Sequence, residues 1–153
     1  MKSCSSLAEK IELILVDSNV LLDIFSDDAT WRPWSEAALH RAVVSSQVGI
    51  NPMIYAETSL RFDDPEVLDR QLNSLLVQRL PLPYEAAFRA GRSFLEYRHN
   101  GGARSSPMPD FYIGAHAELD GLGILTRDVR RFRRYFPSVN LIAPTGSNQA
   151  DQT

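Results

Sequence analysis

The chain of 153 residues is poor in cysteine and lysine. Its single cysteine, Cys4, leaves no disulfide framework within the chain, as expected for a reducing cytoplasm. Lysine is confined to Lys2 and Lys10, so 14 of the 16 basic side chains are arginine. Long apolar runs are missing too. The longest early one, Ile11 to Val16, is interrupted by Glu12 and closed by Asp17. That is too short for a membrane span or a signal-peptide core. No apolar stretch precedes Cys4, which argues against lipidation there. His40, His99 and His116 are scattered and none stands at a zinc-like spacing, so they read as packing or surface residues. There is no P-loop, and Gly121-Leu122-Gly123 precedes a strand pattern instead of following one, which excludes a dinucleotide fingerprint. Internal repeats and long linkers are also lacking.

What is present suits one globular domain with a real core. The apolar fraction is 44% and the charged fraction 23%. The net charge of −3 argues against a general nucleic-acid coat protein, but it conceals an asymmetry. Residues 1–80 carry 7 basic and 12 acidic side chains, residues 81–153 carry 9 and 7. Five arginines fall between Arg127 and Arg134. Arginine suits bidentate contact with phosphate or carboxylate, and a local basic face on an acidic chain fits a polyanion steered to one place. A solvated helix face explains such a run equally well. Arg127, beside the acids, is the favoured substrate contact; the others read as solvent-facing.

Hydrophobic patterning divides the chain into tails at 1–10 and 144–153 and a domain at 11–143. Leu13 to Val16 is a β-prone run suited to a buried parallel strand. Val20 to Phe25 and Trp34 to Val44 read as helices, and Val48 to Ile50 as a short strand. Asn51-Pro52 supplies an N-cap and first turn for a helix reaching about Leu60. Asp64-Pro65 opens another, with Leu68, Leu72, Leu75 and Leu76 on one stripe. Leu80 and Leu82 mark a brief strand. A helix follows from Tyr84 to about Arg98, with Phe88, Gly91 and Leu95 on one face. Residues 101–107 read as a loop. A helix from Asp110 to Asp120 stops at Gly121. A strand from Leu122 to Thr126, a short helix from Asp128 to Tyr135 and a strand from Val139 to Ile142 complete the pattern. This alternation predicts an α/β fold, a three-layer α/β/α sandwich around a central, mostly parallel sheet.

In such sheets, ligands sit outside the carboxyl ends of the strands. Asp17 and Asp128 each follow a strand there, and Glu57 and Asp110 lie early in helices on the same side. Glu57 shares a helix face with Met53 and Leu60, where an unpaired acid is costly unless it meets a base or a cation. Asp110 precedes Gly114 and Ala117, a small face that allows close approach to the sheet. Each acid also has a plain role as a cap, a turn residue or an arginine partner. Four acids at mutually consistent edges instead suggest a crevice for Mg²⁺ or Mn²⁺, hard cations that prefer carboxylate oxygen. Ser18 and Thr126 add hydroxyls able to hold a water or a phosphate oxygen.

These residues carry a resemblance. Val16-Asp17-Ser18-Asn19, Tyr55-Ala56-Glu57, Asp110 through Ala117, and Leu125-Thr126-Arg127-Asp128 with the Arg130–Pro137 segment resemble the four motifs of the PIN-domain family, in particular the VapC-type toxin ribonucleases. The resemblance spans roughly residues 13 to 143. It implies an Mg²⁺- or Mn²⁺-dependent endoribonuclease that cuts RNA with water, leaving a 5′-phosphate and a 3′-hydroxyl. It further implies a homodimer in the cytoplasm, silenced by a VapB-like antitoxin. Asp17, Glu57 and Asp110 would be the primary metal acids, Asp128 a further ligand, and Thr126 would orient a water. The apolar region from Val20 to Trp34 would be dimer and antitoxin surface, against the alternative of a buried core helix.

Three other readings compete. A dehalogenase-like phosphatase or a receiver domain needs a late lysine, absent after Lys10, and the phosphatase needs an acid where Asn19 stands. A non-catalytic RNA-binding PIN scaffold, or a stand-alone PIN nuclease that is not a toxin, differs from the toxin reading only in activity or setting.

Overall fold

The computed structural model describes residues 12–102 and 108–146. The expectations for Cys4, for Lys2 and Lys10, for the outer parts of both tails and for most of the 101–107 loop lie outside those residues. Along the chain run β1 (Leu13–Val16), α1 (Ser18–Phe25), α2 (Arg32–Ser45), β2 (Gln47–Ile50), α3 (Pro52–Ser59) and α4 (Pro65–Ser74). Then come β3 (Gln78–Arg79), α5 (Tyr84–His99), α6 (Met108–Asp120), β4 (Gly123–Leu125), α7 (Arg130–Tyr135) and β5 (Leu141–Ile142). The five strands form one sheet in the order β3-β2-β1-β4-β5. Every pairing is parallel, and helices flank the sheet.

β1 is the centre of the sheet and its topological switch point. β2 lies on one side of it and β4 on the other. Its apolar run follows from that place: Ile14, Leu15 and Val16 are buried, with helices over both faces. The register pairs Val16 with Leu125, so the residues after each strand, Asp17 and Thr126, emerge side by side. Asp17 N–H donates to the Leu125 carbonyl at 2.9 Å and extends the ladder by one rung.

Local chemistry sets the helix ends as expected. Asn51 caps α3 by accepting from Ile54 N–H at 2.9 Å, with Pro52 at the first position. Asp64 caps α4 in the same way through Glu66 N–H. Gly121 ends α6 with a φ of 66°, open to a residue without a Cβ.

Three expectations differ from the structure. Leu76 leaves the buried stripe of α4. It sits just past the helix end at φ 61°, two-thirds exposed, while Val77 N–H closes the turn on the Leu72 carbonyl. The third strand is Gln78–Arg79, two residues earlier than the leucines suggested, because Gly49 and Ile50 pair with those two residues. On α5 the apolar stripe points the other way: Tyr84, Phe88 and Leu95 are exposed, and Ala86, Ala90 and Ser93 are buried. Small residues face inward because α5 packs closely along α6.

Candidate active site at the carboxyl edge of the sheet

Asp17 is almost wholly buried at the end of β1. Its Oδ1 accepts from Ser18 N–H at 2.8 Å, and its Oδ2 accepts from the Thr126 hydroxyl at 2.8 Å and from Asn19 Nδ2 at 3.3 Å. Burial, together with repulsion from Asp110 and Glu57, pushes its carboxyl up to about 7 against these hydrogen bonds. Glu57 lies in the second turn of α3, which leaves β2 at the same edge. Its Oε1 accepts from the Ser18 hydroxyl at 3.3 Å. Partial burial and repulsion from Asp110 raise its pKa.

Asp110 stands in the first turn of α6. That helix runs back against the sheet to feed β4, so its beginning lies at the carboxyl edge. Arg131 of α7 donates from Nη1 to Asp110 Oδ2 at 2.8 Å. Burial still leaves the Asp110 carboxyl above its ordinary range, with Arg131 opposing the shift and Asp128 adding to it. Asp128 is exposed at the rim. Its Oδ1 accepts from Arg130 N–H at 3.3 Å in the turn before α7, whose N-cap is Val129 rather than Asp128.

Thr126 is completely buried and ties the rim to the floor. Its hydroxyl donates to Asp17 and accepts from Asp128 N–H at 3.1 Å and Asn19 Nδ2 at 3.3 Å. Thus hydrogen bonds link Asp17 to Thr126 and Ser18 to Glu57, and Asp110 lies near enough to repel both of those acids, with Asp128 at the edge. Among the described residues, no three acids, histidines or cysteines stand close enough together to grip one ion as they are now held. The donor chemistry nonetheless fits a hard divalent cation, because three oxygen acids share one crevice, where Asp110 repels both Asp17 and Glu57.

The favoured arginine goes elsewhere. Arg127 donates from Nε and Nη2 to Asp23 at 2.6 and 2.9 Å, and its guanidinium lies 4.7 Å from the centroid of Trp31. Asp23 is buried and also accepts from the Ser35 hydroxyl at 2.6 Å. This buried cluster pins α1, α2 and the β4–α7 turn together. Its signal in the sequence was an acid inside an apolar run, Leu22-Asp23-Ile24. Arg131, read as solvent-facing, is the arginine on the acids. Asn19 was also missed: its Oδ1 accepts from Arg127 N–H at 3.2 Å while its amide serves Asp17 and Thr126.

Two supporting details also differ from expectation. Leu60 is 83% exposed, so Glu57 does not share a buried face with it. The Ser18 hydroxyl holds Glu57 instead. Gly114 answers to Phe136, not to the sheet, for a Cβ there would overlap the buried Phe136 ring. His116 packs as expected: it is buried, takes Asn51 Nδ2 on Nδ1 at 3.2 Å and turns Nε2 to Asp120 at 3.1 Å. Burial lowers its pKa, with Asp120 opposing. Through Asn51 it joins α6, which carries Asp110, to the cap of α3, which carries Glu57.

The PIN-domain family model matches residues 14–136. No curated protein matches the chain. Among solved structures, it is similar to VapBC2 from Rickettsia felis bound to a promoter DNA fragment, at 16% identity and a TM-score of 0.64 over 86% of this chain and 98% of that one. FitAcB from Neisseria gonorrhoeae is 22% identical with a TM-score of 0.62, covering 84% and 96% of the two chains. A toxin–antitoxin complex from Klebsiella pneumoniae is 24% identical with a TM-score of 0.59, covering 78% and 89%. At these identities the likeness is one of fold.

Proposed function

The chain belongs to the PIN-domain family, and from that premise we propose that it is a divalent-metal-dependent endoribonuclease acting as the toxin of a toxin–antitoxin pair. PIN domains are generally nucleases, and PIN nucleases generally use divalent metals. The observation that carries the reading is the convergence of Asp17, Glu57 and Asp110 at the switch point of the sheet, where Asp110 repels both of the others. Carboxylates that repel one another in a half-dry crevice favour a cation.

Asp17, Glu57 and Asp110 would hold Mg²⁺ or Mn²⁺, with Asp128 reaching in from the rim. The bound cation would neutralise charge on a phosphoryl oxygen and ease ionisation of water. The residues of the chain do the rest. Thr126 and Asn19 fix one Asp17 oxygen by hydrogen bonds, which leaves its orientation settled before substrate arrives. Ser18 does the same for Glu57 and is a candidate contact for a phosphate oxygen. Hydrolysis adds water oxygen to phosphorus and breaks the bond to the 3′ oxygen, which takes the proton. The products are a 5′-phosphate and a 3′-hydroxyl. Arg127, bound to Asp23, would act on substrate only by steadying Asn19.

Partners follow from the surface. A groove between α1, α2 and α4 contains two adjoining hollows of about 390 and 420 Å³, sharing Ile24, Glu36 and Leu75. Its walls combine Ile24, Phe25, Leu39 and Leu75 with Arg32, Glu36 and Gln71, a mixture that suits an amphipathic segment of a VapB-like antitoxin. The similar structures include VapBC2 from Rickettsia felis, FitAcB from Neisseria gonorrhoeae and a toxin–antitoxin complex from Klebsiella pneumoniae, which supports that partner class. The exposed stripe of α5 suits a homodimer, and the cytoplasm is the setting that an RNA substrate requires. Among the described residues, no helix is long and apolar enough to cross a membrane.

The spacing of the acids favours one competing reading, a PIN scaffold that binds RNA without cutting it. Incubating the purified protein with total RNA and Mg²⁺ or Mn²⁺ separates the two. The nuclease gives discrete fragments with 5′-phosphates, lost with EDTA and in Asp110→Asn. RNA that is bound but left intact by the folded, antitoxin-free protein means the scaffold. A small antitoxin reading frame beside the gene supports the toxin role, and its absence favours a stand-alone nuclease.

A further inference from the structure

Asp17 and Glu57 take hydrogen bonds from neutral donors, whereas Asp110 takes a charge-assisted one from Arg131. That difference needs a reason, because an arginine on a metal acid weakens it as a ligand. Arg131 is not there by chance of a floppy surface chain. It projects from α7 beside Phe132, which is buried, and the nearby Tyr97 of α5 also favours its charged form. Tyr97 is in turn packed edge-on or tilted against Phe111 and Tyr135. Three helices therefore hold one cation against the acid crevice. Both partners remain partly open to solvent, 38% for Arg131 and 25% for Asp110. The pair is thus dry enough to matter and wet enough to open.

A guanidinium and a divalent ion make the same demand on Asp110: carboxylate oxygen facing positive charge. Held together they repel. Once off the carboxylate, a planar fork of donors at the mouth of the site matches a phosphate oxygen pair better than any other nearby group. We infer that Arg131 is the resident counter-ion of the acid crevice, competing with the divalent cation for Asp110 and, once displaced, taking a backbone phosphate of the RNA. The inference rests on the metal-nuclease reading and deepens it.

Mn²⁺ binding to the full chain, without RNA or antitoxin, tests it directly by calorimetry or electron paramagnetic resonance. Arg131→Gln should bind Mn²⁺ about five- to tenfold more tightly than the parent protein, the size of one charge-assisted hydrogen bond reduced for partial exposure. Tyr97→Phe, which loosens the arginine and leaves its charge, should move affinity the same way by less. A merely structural ion pair would show the opposite, since losing it disorders Asp110 and weakens Mn²⁺ binding. The phosphate half is read from RNA cleavage: in Arg131→Gln the KM should rise, and the slope of log affinity against log salt should fall by about one. Mn²⁺ affinity unchanged or weaker in both variants overturns the competition. Tighter Mn²⁺ with an unchanged salt slope overturns the phosphate contact alone. A parent protein that binds no Mn²⁺ overturns the nuclease reading itself, and the inference with it.

Discussion

At the scale of single residues, the site is a set of carboxylates whose partners decide how each behaves. Thr126 shows this most directly. It is fully buried, and its one hydroxyl serves Asp17, Asp128 N–H and Asn19. Thr126→Val keeps the shape and removes the hydroxyl, which leaves a buried donor unsatisfied and Asp17 less well solvated. We expect a loss of about 1–3 kcal/mol in chemical denaturation and a sharp fall in cleavage, with Thr126→Ser restoring most of both. Because the Thr126 bond lowers the Asp17 pKa, the valine variant should also shift Mn²⁺ binding to higher pH. Equal behaviour of the valine and serine variants would remove Thr126 from the site. The residue scale is also where sequence reading reached least far among the basic side chains. Arg127 and Arg131 lie four positions apart in one arginine-rich segment, and nothing in the segment says which one meets Asp23 and which meets Asp110.

Elements are held in place by contacts that the sequence signals only indirectly. α6 carries Asp110, and its approach to α7 is set by Gly114 under Phe136. In an open helix, Gly→Ala stabilises by up to about 1 kcal/mol. Here the new methyl group would overlap a buried ring that also stacks beneath Arg89, 5.1 Å from its centroid. Gly114→Ala should therefore cost about 2 kcal/mol in spite of its propensity, read as a lower midpoint in urea. Gly114→Ala combined with Phe136→Leu should recover part of the loss, and a stabilised single variant would contradict this packing. α5 teaches a related lesson. Its large apolar residues looked like a core stripe, yet the helix turns Ala86, Ala90 and Ser93 inward and leaves Phe88 outside. Periodicity identified the helix and its faces. Which face is buried depended on how closely α6 packs against it.

For the whole molecule, acid–base balance follows from burying three acids in one crevice. The folded Asp17 carboxyl ionises at about 7, well above its ordinary 3.8. Between those values the folded protein holds more protons than the unfolded chain, so stability falls as pH rises through that window. The penalty is absent below about pH 4 and complete above about pH 7, with a ceiling of about 4 kcal/mol from this group. Glu57 and Asp110 shift in the same direction. Thermal melts in EDTA should therefore show a more stable protein at pH 5 than at pH 8, and saturating Mn²⁺ should reverse the order. His116, whose pKa burial lowers, works in the opposite sense, so the acid share is read from Asp17→Asn: that variant should lose part of the preference for pH 5, and an unchanged pH dependence would mean that Asp17 is not strained. Association is the second property at this scale. On α5, Tyr84, Phe88 and Leu95 lie exposed along one side of the helix, with the Arg92 guanidinium 5.0 Å over the Phe88 ring. The homodimer proposed above would use this stripe: Phe88→Arg should then give monomers in analytical ultracentrifugation while leaving the melting temperature nearly unchanged, and a parent protein that is already monomeric would contradict it.

The sequence by itself determined the fold class, the positions of nearly every element and the four acids at their edges. It could do so because strand runs, helix caps and turn glycines are local signals, and a parallel sheet sends the ends of its strands to one side. Asp17 and Thr126 even became neighbours by topology alone, once β1 and β4 paired in register. Only the tertiary structure decided which arginine reaches Asp110, which face of α5 is buried, that Gly114 serves Phe136, and that a buried Asp23 claims Arg127. These choices depend on distances between elements remote in sequence, set by side-chain volumes in the core. No local pattern encodes such distances.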